Sequence, residues 1–449
     1  MKISRWVTLL SMSILIMVGS CGNSENEAPQ SDVVTITFWH SFVSSTVPAL
    51  EKLIDRFHAE HPGIRIKAQY IPTGDALIQK LITSVQSNTA PDISWVHADY
   101  LGDLVEAKAI YKMDRFIQGP QGLSEEELRD IYPALLTYAS WQDTLYSMPM
   151  EATNMALLYN KQLFREAGLD PEQPPKTWEE MYDYAKKLST DLDGDGRFDR
   201  VGMFIPIFAA AGPMSGWMTW QWLPYLWQAG GYLVEKDQSK VLFNSDAGVA
   251  ALTLWKKIFE ELNLSTFTTD YDIAFSSGFV GMSMDGPWAL PRFNKIFSHL
   301  DWAFAPLPAG PEKQATVAGG EYLTVFKQSA HPDEAWTFIK WIIQPQIQAF
   351  WAMESGYLPM RKSAQDYPEF KQYLEENRNF KIFVESMDHA QAQRKIDFYP
   401  LQINQYLAEA IEAATLGEQD PRTILDKAAE KSNKLLAKAR SSAKQRASE

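Results

Sequence analysis

Cysteine is all but missing from this chain. Of 449 residues only Cys21 is one, which excludes a structural disulfide within the chain. Histidine is sparse too. His58 and His61 have H-x-x-H spacing, but they straddle a helix end and read as solvated, with no other histidine or cysteine to complete a metal set. Neither H-E-x-x-H nor G-x-S-x-G occurs, and a G-x-x-x-x-G-K-[ST] loop is absent. Zincin chemistry, a nucleophile elbow and ATP binding by a P-loop therefore have no foothold. Positive charge is in deficit, with 42 Lys and Arg against 56 Asp and Glu, a net charge of −14. That balance argues against nucleic acid or anionic membrane partners and otherwise serves solubility. Beyond the first 20 residues no run is apolar enough to cross a membrane. There is no internal repeat.

What is present starts at the N-terminus. Lys2 and Arg5 precede an apolar stretch, Val7 to Val18, followed by Gly19 and Ser20. This is the layout of a secretory signal peptide over residues 1–20, too short to span a bilayer. The tetrad V-G-S-C ending at Cys21 resembles the bacterial lipobox, with Val18 in place of the commoner leucine. The resemblance implies cleavage before Cys21, lipid on its sulfur and a lipid anchor, placing the protein on the outer face of the cytoplasmic membrane or in the periplasm. An ordinary cleavage site before an ordinary buried cysteine is the alternative. Loss of Lys2 and Arg5 takes the net charge from −14 to −16. Residues 21–32 are polar and without periodicity and read as a flexible tether.

The hydrophobic fraction of 45% and aromatic fraction of 12% suffice for packed cores, and the length suits two or three domains. The segments V33–W39, I64–Y70 and P91–V96 read as strands. Between them V47–F57 and D75–Q86 carry helical periodicity, with Pro48 in a first turn and His61, Pro62 and Gly63 as a stop. Strand, helix, strand, helix, strand is the rhythm of an α/β lobe. M155–Y159, V280–M284 and W302–P308 read as further strands. Thr177 reads as an N-cap with Glu180 as its partner. From Pro332 onward the pattern is helical, over D333–I343, P345–M353, Q405–T415 and R422–A439, and the polar tail 441–449 is expected to fray.

Eight segments then fall into a recognisable order: TFWHS (37–41), APDISW (90–95), LLYNK (157–161), GLDPEQPPKTW (168–178), QAGG (228–231), GMSMDGPW (281–288), AGGE (318–321) and SGYLP (355–359). Together they resemble the extracellular solute-binding proteins of ATP-driven sugar importers, the group that contains the maltose- and glycerol-3-phosphate-binding proteins. The resemblance implies an α/β, two-lobed, periplasmic-binding-protein-like fold of type II, with mixed sheets flanked by helices and a ligand cleft between lobes. By analogy the chain crosses near Ser147, Ala303 and Gln346. One lobe is then 33–146 plus 303–345 and the other 147–302 plus 346–440. The implied partners are a carbohydrate, mono- or oligosaccharide, and the membrane permease of the importer. A monomer is expected, delivering its ligand by hinge closure.

A sugar offers hydroxyls to carboxylates and amides and C–H faces to aromatic rings. The segment G216–W227 holds five aromatics between Trp217 and Trp227, so Trp217, Trp220 and Trp222 are candidates for stacking, while Trp220 and Trp227 share helical spacing and could be core. Trp288, on the turn made by Gly286 and Pro287, is the next candidate, since the matching tryptophan of the similar maltose binders stacks on sugar. Asp285 is either a hydroxyl acceptor or a turn cap. His40, Ser41 and Asp99 follow strands and so point at a cleft. Asp99 also resembles an aspartate that grips sugar in the maltose group. Glu151 and Asn154 sit at the first crossing, and Thr153 stands where that group has a glutamate, which puts maltose itself in doubt. Gly319, Gly320 and Glu321 offer backbone N–H groups to a ligand, and Tyr357 and Arg361 complete the set, with a salt bridge as the alternative for Arg361.

Three rival readings remain. Glu151 and Asp285 could form a glycosidase pair, but nothing else in the chain supports catalysis. Asp191, Asp193, Asp195 and Asp199 occupy loop positions one, three, five and nine of an EF-hand-like run with Gly196 at six. The twelfth position is Gly202, so the run is either a structural calcium loop or a plain Asp/Gly turn. A phosphate ester such as glycerol-3-phosphate is the third; it calls for arginine, and only Arg361 is placed near the cleft.

Overall fold

The computed structural model describes residues 33–448 except 73, 208–214, 263–270, 395, 397–399 and 418. The expected signal peptide, Cys21 and the expected tether, residues 1–32, lie outside the described residues. In chain order the strands are β1 (Val34–His40), β2 (Ile64–Tyr70), β3 (Ile93–Val96), β4 (Ser140–Trp141), β5 (Thr144–Leu145), β6 (Met148–Pro149), β7 (Ala156–Asn160), β8 (Val201–Met203), β9 (Val280–Asp285), β10 (Trp302–Ala305), β11 (Thr316–Val317), β12 (Tyr322–Val325) and β13 (Ala390–Gln391).

Alternation along β1 turns Ile36, Phe38 and His40 inward. The helix Val47–Glu60 begins on a proline and buries Ala49, Leu50, Leu53, Ile54 and Phe57 along one face. It stops where the His61 N–H returns to the Phe57 carbonyl. The first sheet has the order β2-β1-β3-β12-β6. In it β1 lies parallel to β2 and β3, and β12 is antiparallel to β3 and β6. The second sheet has the order β10-β7-β9-β8, with β7 antiparallel to β9 and β10 and β8 parallel to β9. Both sheets are thus mixed. Every residue of β7 and β9 is buried, as strands covered on both faces must be. Helices Ser215–Gln228, Asp246–Glu261, Pro400–Leu416 and Pro421–Ser448 pack on one another beside the second sheet.

Strand membership moves the lobe boundaries. The first crossing follows β6 and precedes β7, so it lies at 150–155 and not at Ser147. β10 still pairs with β7, which puts the second crossing at 306–321 and not at Ala303. The third departs furthest from the expected Gln346. Helix Pro345–Ser355 packs on Val47–Glu60, and helix Arg378–Ser386 is the first afterward to meet β7 and β10. Residues 346–376 therefore belong with the first lobe, held there by Trp351 against Phe42 at 5.5 Å and by the Arg56 guanidinium over Phe350 at 5.2 Å. The tail expected to fray continues as helix to Ser448, since its alanines, lysines and arginines favour helix and no proline or glycine interrupts it.

Candidate functional site

The floor between the lobes is built from the crossing segments. Thr153 and Gly319 exchange backbone hydrogen bonds at 2.9 Å each way, and Ala152 exchanges a pair with Leu358 at 2.8 and 2.9 Å. The Met150 N–H donates to the Glu321 carbonyl at 2.8 Å. The first two passages of chain are thereby laced to one another and to the Leu358 segment of the first lobe. The close approach explains the glycines of AGGE. A Cβ on Gly320 would stand 2.3 Å from the Glu151 carbonyl oxygen, and one on Gly319 would stand 3.0 Å from both Thr153 and the Trp220 ring. Gly319 gives its N–H to Thr153, so that group is committed to the floor.

Aromatic rings roof this floor. Trp217 and Trp220, three apart on one helix, stack with centroids 5.3 Å apart at 21°. Trp288 meets Trp217 at 5.6 Å and Trp220 at 6.3 Å. Its ring folds back over Gly286, where a Cβ would come within 2.1 Å of it. Trp288 in turn meets Tyr357 at 6.3 Å, and Tyr357 meets Phe42 at 6.1 Å. Rings of the second lobe thus touch rings of the first. Trp217, Trp220 and Trp288 are only partly buried, whereas Trp222 and Trp227 are enclosed. Trp222 is corrected from the cleft to the core of its lobe.

The polar candidates divide as well. Glu151 is fully buried and accepts from the Trp351 indole N–H at 3.0 Å. Burial first, and then the Glu321 carboxylate, push its pKa well above the usual carboxylate range. Glu321 is 8% exposed, and one oxygen of each carboxyl is buried without a partner. Asn154 donates to the Phe383 carbonyl at 2.8 Å, tying the first crossing to helix Arg378–Ser386. Asp99 stands in a turn after β3. With Leu233, Gln393, Asn404 and Leu407 from the second lobe it lines a cavity of about 10 Å³, room for about one water.

Four candidates serve structure instead. His40 lies inside the first lobe between Phe38, Phe42 and Tyr70, because strand alternation turns it away from the cleft. Burial lowers its pKa to about 4. Ser41 donates to the Ile71 carbonyl at 2.8 Å. Asp285 caps its own turn through the Gly286 N–H at 2.8 Å and pairs with Arg292 at 3.4 Å, so the turn-cap alternative describes it. Arg361 is buried against Asp130 at 2.8 Å and faces Glu127, the salt-bridge alternative. Sequence reasoning missed Phe42 and Trp351, which connect Tyr357 to the carboxyl pair. Their motifs look like core from the sequence, and only contact across the crossings separates them from it.

The carboxylates of Asp191, Asp193 and Asp195 come within reach of one another on an exposed loop. Asp191 accepts from the Gly194 and Gly196 N–H groups at 2.7 and 2.9 Å, and Asp199 accepts from Leu192 at 2.6 Å. The amide bonds, led by that from Gly196, lower the Asp191 pKa. Gly202, at the twelfth position, is enclosed within β8, where a Cβ would stand 1.8 Å from the Ala185 carbonyl. The converging carboxylates leave the calcium-loop alternative standing beside the Asp/Gly turn, since these hydrogen bonds suit either.

The sequence profile of the bacterial extracellular solute-binding proteins matches residues 52–395. The sn-glycerol-3-phosphate-binding periplasmic protein UgpB of Escherichia coli strain K12 is 26% identical over 431 residues, covering 90% of this chain and 93% of that protein. Among solved structures, the cyclic alpha-maltosyl-1,6-maltose binding protein of Arthrobacter globiformis matches with a TM-score of 0.77 at 28% identity, covering 90% of this chain and 99% of that one. An ABC transporter solute-binding protein of Thermotoga lettingae, bound with alpha-D-tagatose, gives a TM-score of 0.76 at 26% identity, covering 90% and 100%. These relatives are binding proteins. Among the described residues no helix is long and apolar enough to cross a membrane.

Proposed function

Because the chain belongs to the bacterial extracellular solute-binding family, we propose that it captures a sugar between its lobes and delivers it to the permease of an ATP-driven importer. The observation that carries this reading is the ring surface of Trp217, Trp220 and Trp288, which meets Tyr357 across the crossings. Flat indoles suit the C–H faces of a pyranose or furanose, and Asp99, Gln393 and Asn404 supply acceptors and donors for hydroxyls at the same boundary. Ligand enters with the lobes apart and is enclosed as they close. The chain binds and releases; it carries no catalytic task, and it works as a monomer.

The UgpB relative favours glycerol-3-phosphate as a second reading. A dianion asks for cationic donors. Arg361 is spent on Asp130 and Arg292 on Asp285, and that ranks phosphate below neutral sugars. A thermal-shift screen of mono- and oligosaccharides beside glycerol-3-phosphate tests the choice. The sugar that binds stabilises the protein by about 2.7 kcal/mol at a hundredfold excess over its Kd. Stabilisation by glycerol-3-phosphate with no response to any sugar overturns the sugar reading.

Lipidation of Cys21 belongs to the same proposal. A diacylated cysteine holds firmly where a single chain does not. Cys21→Ala, expressed in the native host, moves the protein from the membrane fraction to the soluble fraction. Retention of the variant at the membrane removes the anchor from the account.

A further inference from the structure

Two carboxyl groups face one another in the laced crossings. Glu151 comes from the first passage of chain and Glu321 from the end of the second, brought side by side where the Met150 N–H donates to the Glu321 carbonyl at 2.8 Å and Gly320 closes on the Glu151 carbonyl oxygen. Glu151 is fully buried and Glu321 is 8% exposed. Among the described residues neither joins a salt bridge to a cation. The groups that face them are neutral: the Trp351 indole, which donates to Glu151; the Tyr357 ring; and the Tyr322 hydroxyl, without a partner. Tyr138 and Asp99 face Tyr322 from further off, and His40 lies beyond Phe42. Glu151 Oε1 and Glu321 Oε2 are both buried and unpaired. A buried, unpaired carboxylate oxygen beside a second carboxylate is costly, and a single proton answers both needs as an O–H to O⁻ hydrogen bond.

We propose that Glu151 and Glu321 hold one proton between them in the closed hinge, and that loss of this proton to solvent opens the cleft. The inference deepens the hinge-closing binder described above. The roof over the pair comes from the other lobe: Trp220 sits over Gly319, and Trp288 meets Tyr357. Parting the lobes lifts that roof and hydrates the pair. The O–H bond of the shared proton then breaks, the proton passes to water, and two carboxylates repel across the crossings. The closed form holds one proton more than the open form. The closed-to-open ratio therefore falls as pH rises, by up to about tenfold per pH unit between the two states' titrations.

Two ligand-free measurements test this, so a failure to find the sugar leaves them unaffected. Infrared difference spectroscopy of the folded protein at neutral pH should show a buried carboxylic acid C=O band that shifts in D2O and disappears in the Glu151→Gln, Glu321→Gln double variant. Small-angle scattering of the wild type should show the radius of gyration rising with pH. Glu151→Gln, whose amide replaces the shared proton as donor, should stay compact at every pH. Glu321→Gln should behave alike and serves if Glu151→Gln does not fold. No acid band at neutral pH, a wild-type radius independent of pH, or the same pH response in the single variants overturns the proposal.

Discussion

At the scale of single residues, the helical period separates tryptophans that composition alone treats alike. Trp217 and Trp220 are three apart and share a face, while Trp222 lies on the opposite side and is enclosed. The period carries that division, yet it also sets Trp227 on the Trp220 face, and of that pair only Trp227 is enclosed. The contact of Trp217 and Trp220 with Trp288 was not legible in the sequence, because it joins residues about seventy positions apart through tertiary packing. Trp220→Ala should abolish stacking on ligand and weaken binding at least tenfold, equivalent to about 1.4 kcal/mol, while the melting temperature of the free protein changes little. Calorimetry with the screened sugar checks this against Trp222→Ala, which should instead lower stability by about 3–5 kcal/mol. Histidine behaves as a residue-scale pH sensor of the fold. Burial holds the His40 imidazole at about 4 against 6.5 unfolded, so the folded form binds fewer protons. Its contribution is present above pH 6.5 and is lost as pH falls toward 4. Between pH 7 and pH 5 the wild type should lose about 2 kcal/mol more than His40→Leu in urea unfolding.

Elements were legible where a period and a stop coincided. β2 matches its expected span residue for residue, and helix Val47–Glu60 starts on the expected residue, because Pro48 and the His61–Gly63 stop act locally. The helix Ser215–Gln228 was harder to read: rings occupy most of its faces, and Pro224 sits inside it, so no polar stripe marks its outside. Thr177 caps helix Trp178–Leu188 through the Glu180 N–H at 3.2 Å, but the Glu180 side chain bonds the Lys176 N–H at 2.6 Å and not its cap residue. The box is thus made with a neighbouring partner. Thr177→Ala should cost about 1 kcal/mol, readable as a shift of the urea midpoint at unchanged slope.

For the whole molecule, the two-lobed plan came from the order of motifs, and the crossings had to come from strand pairing. No local pattern announces that β10 belongs with β7 or that Trp351 closes over Glu151, since both depend on contacts far apart in the chain. One consequence concerns where the lobes meet at their rim. Gly356 ends helix Pro345–Ser355 in the left-handed region at φ +83°, and a Cβ there would stand 2.8 Å from the Pro287 carbonyl and 2.9 Å from the Pro291 ring. Gly356 travels with the first lobe and Pro287 with the second, so the space it leaves exists only when the lobes are together. Gly356→Ala should act twice. The left-handed backbone costs about 1–2 kcal/mol in both open and closed forms, which lowers the melting temperature of the free protein modestly. The methyl group then wedges the closed form alone, which raises the Kd for sugar and keeps the radius of gyration large at saturating ligand. Scattering with and without ligand separates the two effects. Full contraction of the variant with unchanged affinity would show that the rim does not tighten on closure, and closure would then have to be sought at the aromatic roof alone.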